Sequence, residues 1–583
     1  MSDTLFERLA AANPERGLHL FEDFGSRPSF LAYRAMPERI AASAEHFRAQ
    51  GIRPGDRILF PFETSEAVIL SFFGLMALGA VPFSVKPFIL STPKAAYRDF
   101  LSRLSSRHGV SHILDVPSLR SLELSLVRVP LPPAGARLAG ALPRVPDEDA
   151  LAFVQFSSGS TAFPKGVPIT WRNLHANLRM IQNQGGLCAQ DRCVSWLPLY
   201  HDMGLVGGML ACMEGHCDSL LTPPMSFLMD PMGWLEFLSE HRATLAVIPN
   251  FAIDYTLKIL NGLGPEELQE LALSALRTVY LGSEPINIAN LERFTALLAP
   301  QGLRREAIKP CYGMAEVVLM VSCVGDEGWR TVTGPNGQPA ISVGRPLSEF
   351  EVRLRTEEGR VSEERELGQI ELRSGSLAQA YYADERPLRG EEGFYPTGDL
   401  GFMQGGELFI TGRLNDRIKI NGQSYFSSDF EQAIERLAFI RSGRSAVIQA
   451  QGRVVVLAEV SHPEVLEQRA VGQRQVASTI LEAMGVTVAP EDVLFIRYGQ
   501  LPKTSSGKLQ RRAITEAYEQ GHIRVATPGD LRVDLLKLRA RRLVLGSVLE
   551  VRQWGERWLQ SGVAWLRQGK DRLVAGVWPR PPS

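Results

Sequence analysis

Between Phe153 and Thr170 the chain reads FVQFSSGSTAFPKGVPIT, where Ser157, Ser158, Gly159, Ser160 and Thr161 follow one another and Lys165 comes shortly after. Glycine frees backbone N–H groups, the hydroxyls donate, and the lysine adds a full positive charge. Together these suit a polyanion such as a nucleotide triphosphate. No Gly-Lys-Ser or Gly-Lys-Thr stands at the spacing of a Walker A loop, so the run is of another kind. Alone, it fits an ordinary polar turn between two strands equally well. Its meaning depends on companions.

Six further runs follow in order: LPLYHDMGLVGG (197–208), VYLGSEPI (279–286), PCYGMAEVVLMVS (310–322), YPTGDLGF (395–402), ELFITGRLNDRIKING (407–422) and LPKTSSGKLQRR (501–512). With the first run they resemble the core motifs of the adenylate-forming (ANL, AMP-binding) superfamily, over roughly residues 20 to 520. That superfamily holds acyl- and aryl-CoA synthetases, nonribosomal peptide adenylation domains and luciferases. SWLPLYHDMGLVGG, PNFAIDY, CYGMAE and GELFITGRLNDRI are most similar to fatty acyl-AMP ligases, which activate fatty acids for loading onto acyl carrier proteins. Ala315, where many relatives carry Thr, also fits that branch.

The resemblance implies a chemistry that these residue types serve. A fatty acid's carboxylate attacks the α-phosphorus of ATP, and two anions repel strongly in a site shielded from water. By resemblance Lys508 meets the carboxylate and α-phosphate, and Glu316 holds a Mg2+. Ser157 to Lys165 cradle the β- and γ-phosphates, with Thr161 among the donors. Tyr312 and Gly313 meet adenine, Gly282, Ser283, Glu284 and Pro285 line the base, Asp399 accepts the ribose hydroxyls, and Arg413 contacts ribose or phosphate. His201 takes a positioning role and Asp202 a structural one, since neighbours on a strand point to opposite faces.

The implied product is an acyl-adenylate, with pyrophosphate released and the acyl group passed to an acyl carrier protein or to CoA. Two departures bear on the acceptor and the loop. Only residues 323–343 separate LMVS from GRPL, short for the insertion the fatty acyl-AMP ligases carry there, and Ala162 and Phe163 replace the usual glycine of the loop. Asn415 stands at the hinge position where Asp or Lys is common. A non-catalytic lipid- or partner-binding module on the same fold is the alternative of another class. It would lack Lys508, Glu316 or Asp399, and all three are present. The acyl tunnel is expected along MGLVGGML, PNFAIDY and GMAEVVLM, with Gly204, Gly207 and Gly208 opening space and Met203, Met209, Met314 and Met320 as walls.

These residues need a scaffold, and the pattern supplies one. Short apolar runs such as DRILFPF, LAFVQF, ATLAVIPN and LRTVYLG alternate with helical patterns such as PERIAASAEHFRAQ, which argues α/β layers around largely parallel sheet. The expected fold is thus α/β: a large N-terminal AMP-binding domain of layered subdomains (1–412), a smaller mobile α+β domain (413–524) and a helical extension (525–583). The polar joint GRLNDRIKINGQ reads as a hinge.

At 583 residues the chain is too long for one core, and with 45% hydrophobic and 22% charged residues it has an ordinary globular composition. A net charge of -1 leaves no global field to recruit nucleic acid or anionic lipid. The N-terminus lacks a secretory pattern, which points to the cytoplasm. Ala67 to Phe83, the most apolar stretch, reads as a buried helix running into a strand. Cys188, Cys193, Cys212 and Cys217 can be drawn as a zinc site, but their apolar surroundings favour plain core packing. From Asp530 onward 11 Lys/Arg stand against 5 acids, with four tryptophans, so this extension can meet a protein surface or a membrane periphery.

Overall fold

The apolar run begins as the helix Glu66–Leu78, buried on nearly every side. Gly79 adopts φ 83, closes the helix, and hands the chain to the buried strand Val81–Val85. The same logic repeats through the computed structural model, which describes residues 4–89, 92–157, 163–384, 386–390, 392–420, 423–503 and 508–537.

By packing, the chain divides into two units, Met1–Gln432 with Pro502–Thr515, and Ala433–Leu501 with Glu516–Ser583. In the first unit a six-stranded sheet runs Val127–Pro130, His112–Asp115, Arg57–Pro61, Val81–Val85, Leu151–Ser157, Lys165–Thr170. Its last two strands pair antiparallel with Ser157 opposite Lys165, so the serine-rich run links the arms of a hairpin. The linking residues Ser158, Gly159, Ser160, Thr161 and Ala162 lie outside the described residues.

A second sheet of nine strands has Ile308–Gly313, Thr278–Gly282, Leu245–Pro249 and Arg192–Ser195 side by side and parallel. Parallel strands covered by helices bury both faces, which explains their near-continuous apolar wording. A four-stranded antiparallel sheet, Glu351–Arg355, Gly368–Arg373, Tyr395–Gln404 and Glu407–Arg413, completes the set that positions the site.

The second unit holds the strands Ile440–Ala450, Arg453–Val460 and Val493–Phe495 with the helix Arg469–Met484, an α+β arrangement as the sequence implied. Among the described residues no helix is long and apolar enough to cross a membrane. The basic extension is helical over residues 528–537, and its tryptophans lie outside the described residues.

Candidate active site

Strand register sets the polar end of the site. Asp399 lies directly across from Arg413, whose Nε donates to Asp399 Oδ1 at 2.8 Å. The other carboxylate oxygen accepts the Tyr312 hydroxyl at 2.7 Å. Tyr312 is the penultimate residue of the strand Ile308–Gly313, at an irregularity in the ladder, where a Cβ on Gly313 would stand 1.8 Å from the Leu319 carbonyl oxygen. Only glycine fits there.

The chain then turns through Ala315–Val317 into Val318, held at φ 78, a costly conformation for a β-branched residue. That turn buries Glu316 to 8% exposure. Its Oε1 accepts the Tyr381 hydroxyl at 2.8 Å, and Lys165 Nζ sits 4.4 Å from the centroid of the Tyr381 ring. Tyr312, Asp399, Arg413, Glu316, Lys165 and Lys508 all face one cavity of about 220 Å³.

Electrostatics inside this cavity are tense. Burial pushes the Glu316 carboxyl up, and the nearby Asp202 adds to the push while Arg413 opposes it. Burial pulls the Lys508 ammonium down, helped by Arg413 and resisted by Asp202, Asp399 and Glu284. Asp399 in turn holds Arg413 charged. A cluster of opposed charges out of water is costly as it stands and is suited to receiving a charged guest.

His201 and Asp202 correct the sequence reading. They do not sit on a strand: Asp202 has helical φ -51 and ψ -47 and opens the π-helix Met203–Leu210. From there its carboxylate caps the Met203 N–H at 2.7 Å and meets His201 Nδ1 at 2.6 Å. Burial alone would raise Asp202, but His201, the Met203 N–H and Lys508 hold it below the usual carboxylate range. The two side chains are therefore paired, and both line the cavity.

From the polar end the cavity continues as an apolar tunnel along one face of the nine-stranded sheet, past Val247, Leu245 and Cys193 and beneath Ile181, Leu187 and Cys212. The π-helix supplies Gly207, whose missing side chain leaves space 3.3 Å from Leu319 and 3.5 Å from Val247. Gly204 and Gly208 serve packing instead, since a Cβ would strike the Pro198 carbonyl oxygen and the Ser195 hydroxyl. Met203, Met314 and Met320 line the tunnel, whereas Met209 is fully buried in the core. The PNFAIDY segment is absent from the lining: Phe251 packs against Trp196 and Phe227.

Of the residues singled out in the sequence, Ser157, Lys165, His201, Gly282, Ser283, Tyr312, Gly313, Glu316, Asp399, Arg413 and Lys508 line this cavity. Glu284 is turned away, its carboxylate accepting the Phe251 N–H at 3.1 Å, and Pro285 is not in the lining. Sequence reasoning passed over Tyr381, Tyr395 and Thr397; the last two stand inside the YPTGD motif, while Tyr381 has no local signal. Cys193, Cys212 and Cys217 are buried, Cys188 is exposed, and among the described residues no group of three or more His, Cys, Asp or Glu could hold a metal ion.

Comparison with known proteins agrees with this geometry. Residues 6–382 match the family of AMP-binding enzymes, and residues 415–527 match the AMP domain described as Disco-interacting protein 2-like. The chain belongs to the AMP-binding enzyme family and has the fold of the adenylate-forming ligases. It is 30% identical over 553 residues to a Caulobacter vibrioides protein provisionally named as an acyl-CoA synthetase, with 88% of this chain and 94% of that protein covered. It is 31% identical over 413 residues to the medium-chain-fatty-acid–[acyl-carrier-protein] ligase JamA of Moorena producens, covering 64% and 69%. A solved structure from a study of fatty acyl-adenylate ligases of E. coli and L. pneumophila superposes with TM-score 0.80 at 28% identity, covering 89% of this chain and 98% of that one.

Proposed function

We propose that this protein activates a fatty acid with ATP, forming an acyl-adenylate and releasing pyrophosphate, and then passes the acyl group to the phosphopantetheine of an acyl carrier protein. One observation carries the reading. A single cavity joins a charged end, with Asp399, Arg413 and Lys508, to an apolar tunnel with no charged side chain in its deep wall among the described residues. A molecule that fits has an anionic head and an apolar tail.

In this reading Lys508 lies between the fatty carboxylate and the α-phosphate and offsets the charge that builds as the new P–O bond forms. Asp399, fixed by Tyr312 and Arg413, accepts the ribose hydroxyls, with Gly282 and Ser283 against the base and Lys165 and Ser157 at the departing phosphates. His201, oriented by Asp202, positions the acid at the tunnel mouth.

Mg2+ fits the donor set: the buried Glu316 carboxylate lines the charged end of the cavity, and a Mg2+ site needs only one or two carboxylates when phosphates complete it. Bound there, the ion would neutralise phosphate charge. Residues 413–524 are read as the mobile domain, 525–583 as a docking extension, and the compartment as cytoplasmic.

The second reading, an acyl-CoA ligase, draws support from the name of the Caulobacter relative and from the short 323–343 segment. Incubation with ATP, Mg2+ and a fatty acid, then with either holo-carrier protein or CoA, separates the two. Acyl-adenylate with acylated carrier supports the first reading. Abundant acyl-CoA selects the second, and absence of acid-dependent ATP/pyrophosphate exchange rejects both.

A further inference from the structure

The tunnel ends on a polar atom. Tyr280 is 7% exposed and lines the cavity from the strand Thr278–Gly282, whose carboxyl end Gly282 lies at the charged mouth. Its hydroxyl reaches away from the mouth to Gly185, where an added Cβ would stand only 2.4 Å from that oxygen. Gly185 is tied to the level below by its carbonyl oxygen, which accepts Arg277 Nη1 at 3.1 Å.

The floor there is otherwise apolar, made by Ile181, Leu187, Cys193, Cys212 and Leu245. Among the described residues the Tyr280 hydroxyl has no hydrogen-bond partner, and burial keeps its proton in place well above the usual phenol range. Buried Tyr hydroxyls ordinarily find partners.

Register gives the depth. Leu245 and Cys193, which line the floor, pair at the level of Thr278, four residues below Gly282. At the rise of a strand this is roughly 13 Å, the reach of an extended alkyl chain of about ten carbons.

We propose that the tunnel is built for a medium-chain acid bearing a hydrogen-bonding atom, such as a hydroxyl oxygen, at its far end, and that the Tyr280 hydroxyl reads that atom. A plain alkyl tail leaves the phenol unpaired; a terminal hydroxyl completes it. This deepens the activity proposed above and rests on it.

Acid-dependent ATP/pyrophosphate exchange with decanoate, 10-hydroxydecanoate and hexadecanoate, in the full-length wild type and in Tyr280→Phe, tests it. The wild type should favour 10-hydroxydecanoate over decanoate by about tenfold or more in kcat/KM. Hexadecanoate should be the poorest substrate. Tyr280→Phe should bring the two ten-carbon acids to within about twofold of each other, because phenylalanine keeps the ring and removes only the reader. Gly207→Leu, which fills the passage between Leu319 and Val247, should exclude both ten-carbon acids while leaving short acids as substrates.

Equal use of decanoate and 10-hydroxydecanoate by the wild type overturns the inference, as does a preference that survives Tyr280→Phe or efficient use of hexadecanoate. The wild-type comparison decides the matter even if a variant misfolds. Exchange with none of these acids, nor with shorter or aryl ones, would instead remove the functional reading itself, and this inference with it.

Discussion

Glu316 shows how a single carboxyl can be placed against its own comfort. Its pKa in the fold is raised by burial above the ordinary 4.5, so the fold keeps a proton that the unfolded chain has already released. The stability linked to that proton is complete below 4.5 and is lost as pH rises through the raised value. Glu316→Gln removes the loss while keeping an oxygen for the Tyr381 hydroxyl. The unliganded variant should match wild type in Tm near pH 4 and melt higher near pH 8, yet lose about a hundredfold in ATP/pyrophosphate exchange if Glu316 holds the ion. A variant that melts lower than wild type at pH 8 contradicts the burial argument. Asp399 is held by two partners, the Tyr312 hydroxyl and the Arg413 guanidinium. Asp399→Asn weakens both contacts and the proposed ribose contact together. Its KM for ATP should rise about tenfold to a hundredfold, measured with the fatty acid saturating.

At the scale of elements, Asn177 does work that no motif announced. Fully buried in the helix Trp171–Gly185, it donates to the Met320 carbonyl at 2.9 Å and accepts the Met320 N–H at 3.1 Å. One amide thus satisfies both backbone groups of a residue in the strand Met320–Cys323 and fixes the helix that roofs the tunnel. Asn177→Leu strands two buried backbone groups, and the first unit should lose about 2–4 kcal/mol in urea unfolding. A loss under about 0.5 kcal/mol would mean that water replaces the amide. The sequence could not show this, since Asn177 and Met320 lie 143 residues apart and polar partners across that distance leave no periodic trace. Alternating apolar runs and helical stretches did reveal the strands, because burial on both faces demands that wording whatever the order of strands. The YHD run was misread for a local reason. A polar triplet after an apolar run looks like the end of a strand, yet the glycine-rich segment behind it winds as a π-helix and turns His201 and Asp202 toward each other.

The molecule as a whole gathers this site from one packing unit. Lys508 is 109 residues beyond Asp399 in the chain, yet the segment Pro502–Thr515 that carries it packs with Met1–Gln432. Arg511, in that segment, binds Glu431 bidentately, with Nη2 at 2.9 Å from Oε2, and lies 3.3 Å from Asp416. Motif order exposed the ingredients of the site, whereas the depth of the tunnel and the hydroxyl at its floor came only from strand register. Two units of separate packing should unfold in two calorimetric steps rather than one. A stable acyl-adenylate analogue should bridge the charged end and the tunnel, whose lining residues all belong to the first unit. At a hundredfold excess over its Kd it should stabilise that unit by about 2.7 kcal/mol and raise one transition while leaving the other in place. Lys508→Ala should shrink the shift, since the analogue's phosphate would lose its counter-charge. If both transitions rise together in scanning calorimetry, the second unit also grips the nucleotide, and the site is larger than the cavity described above.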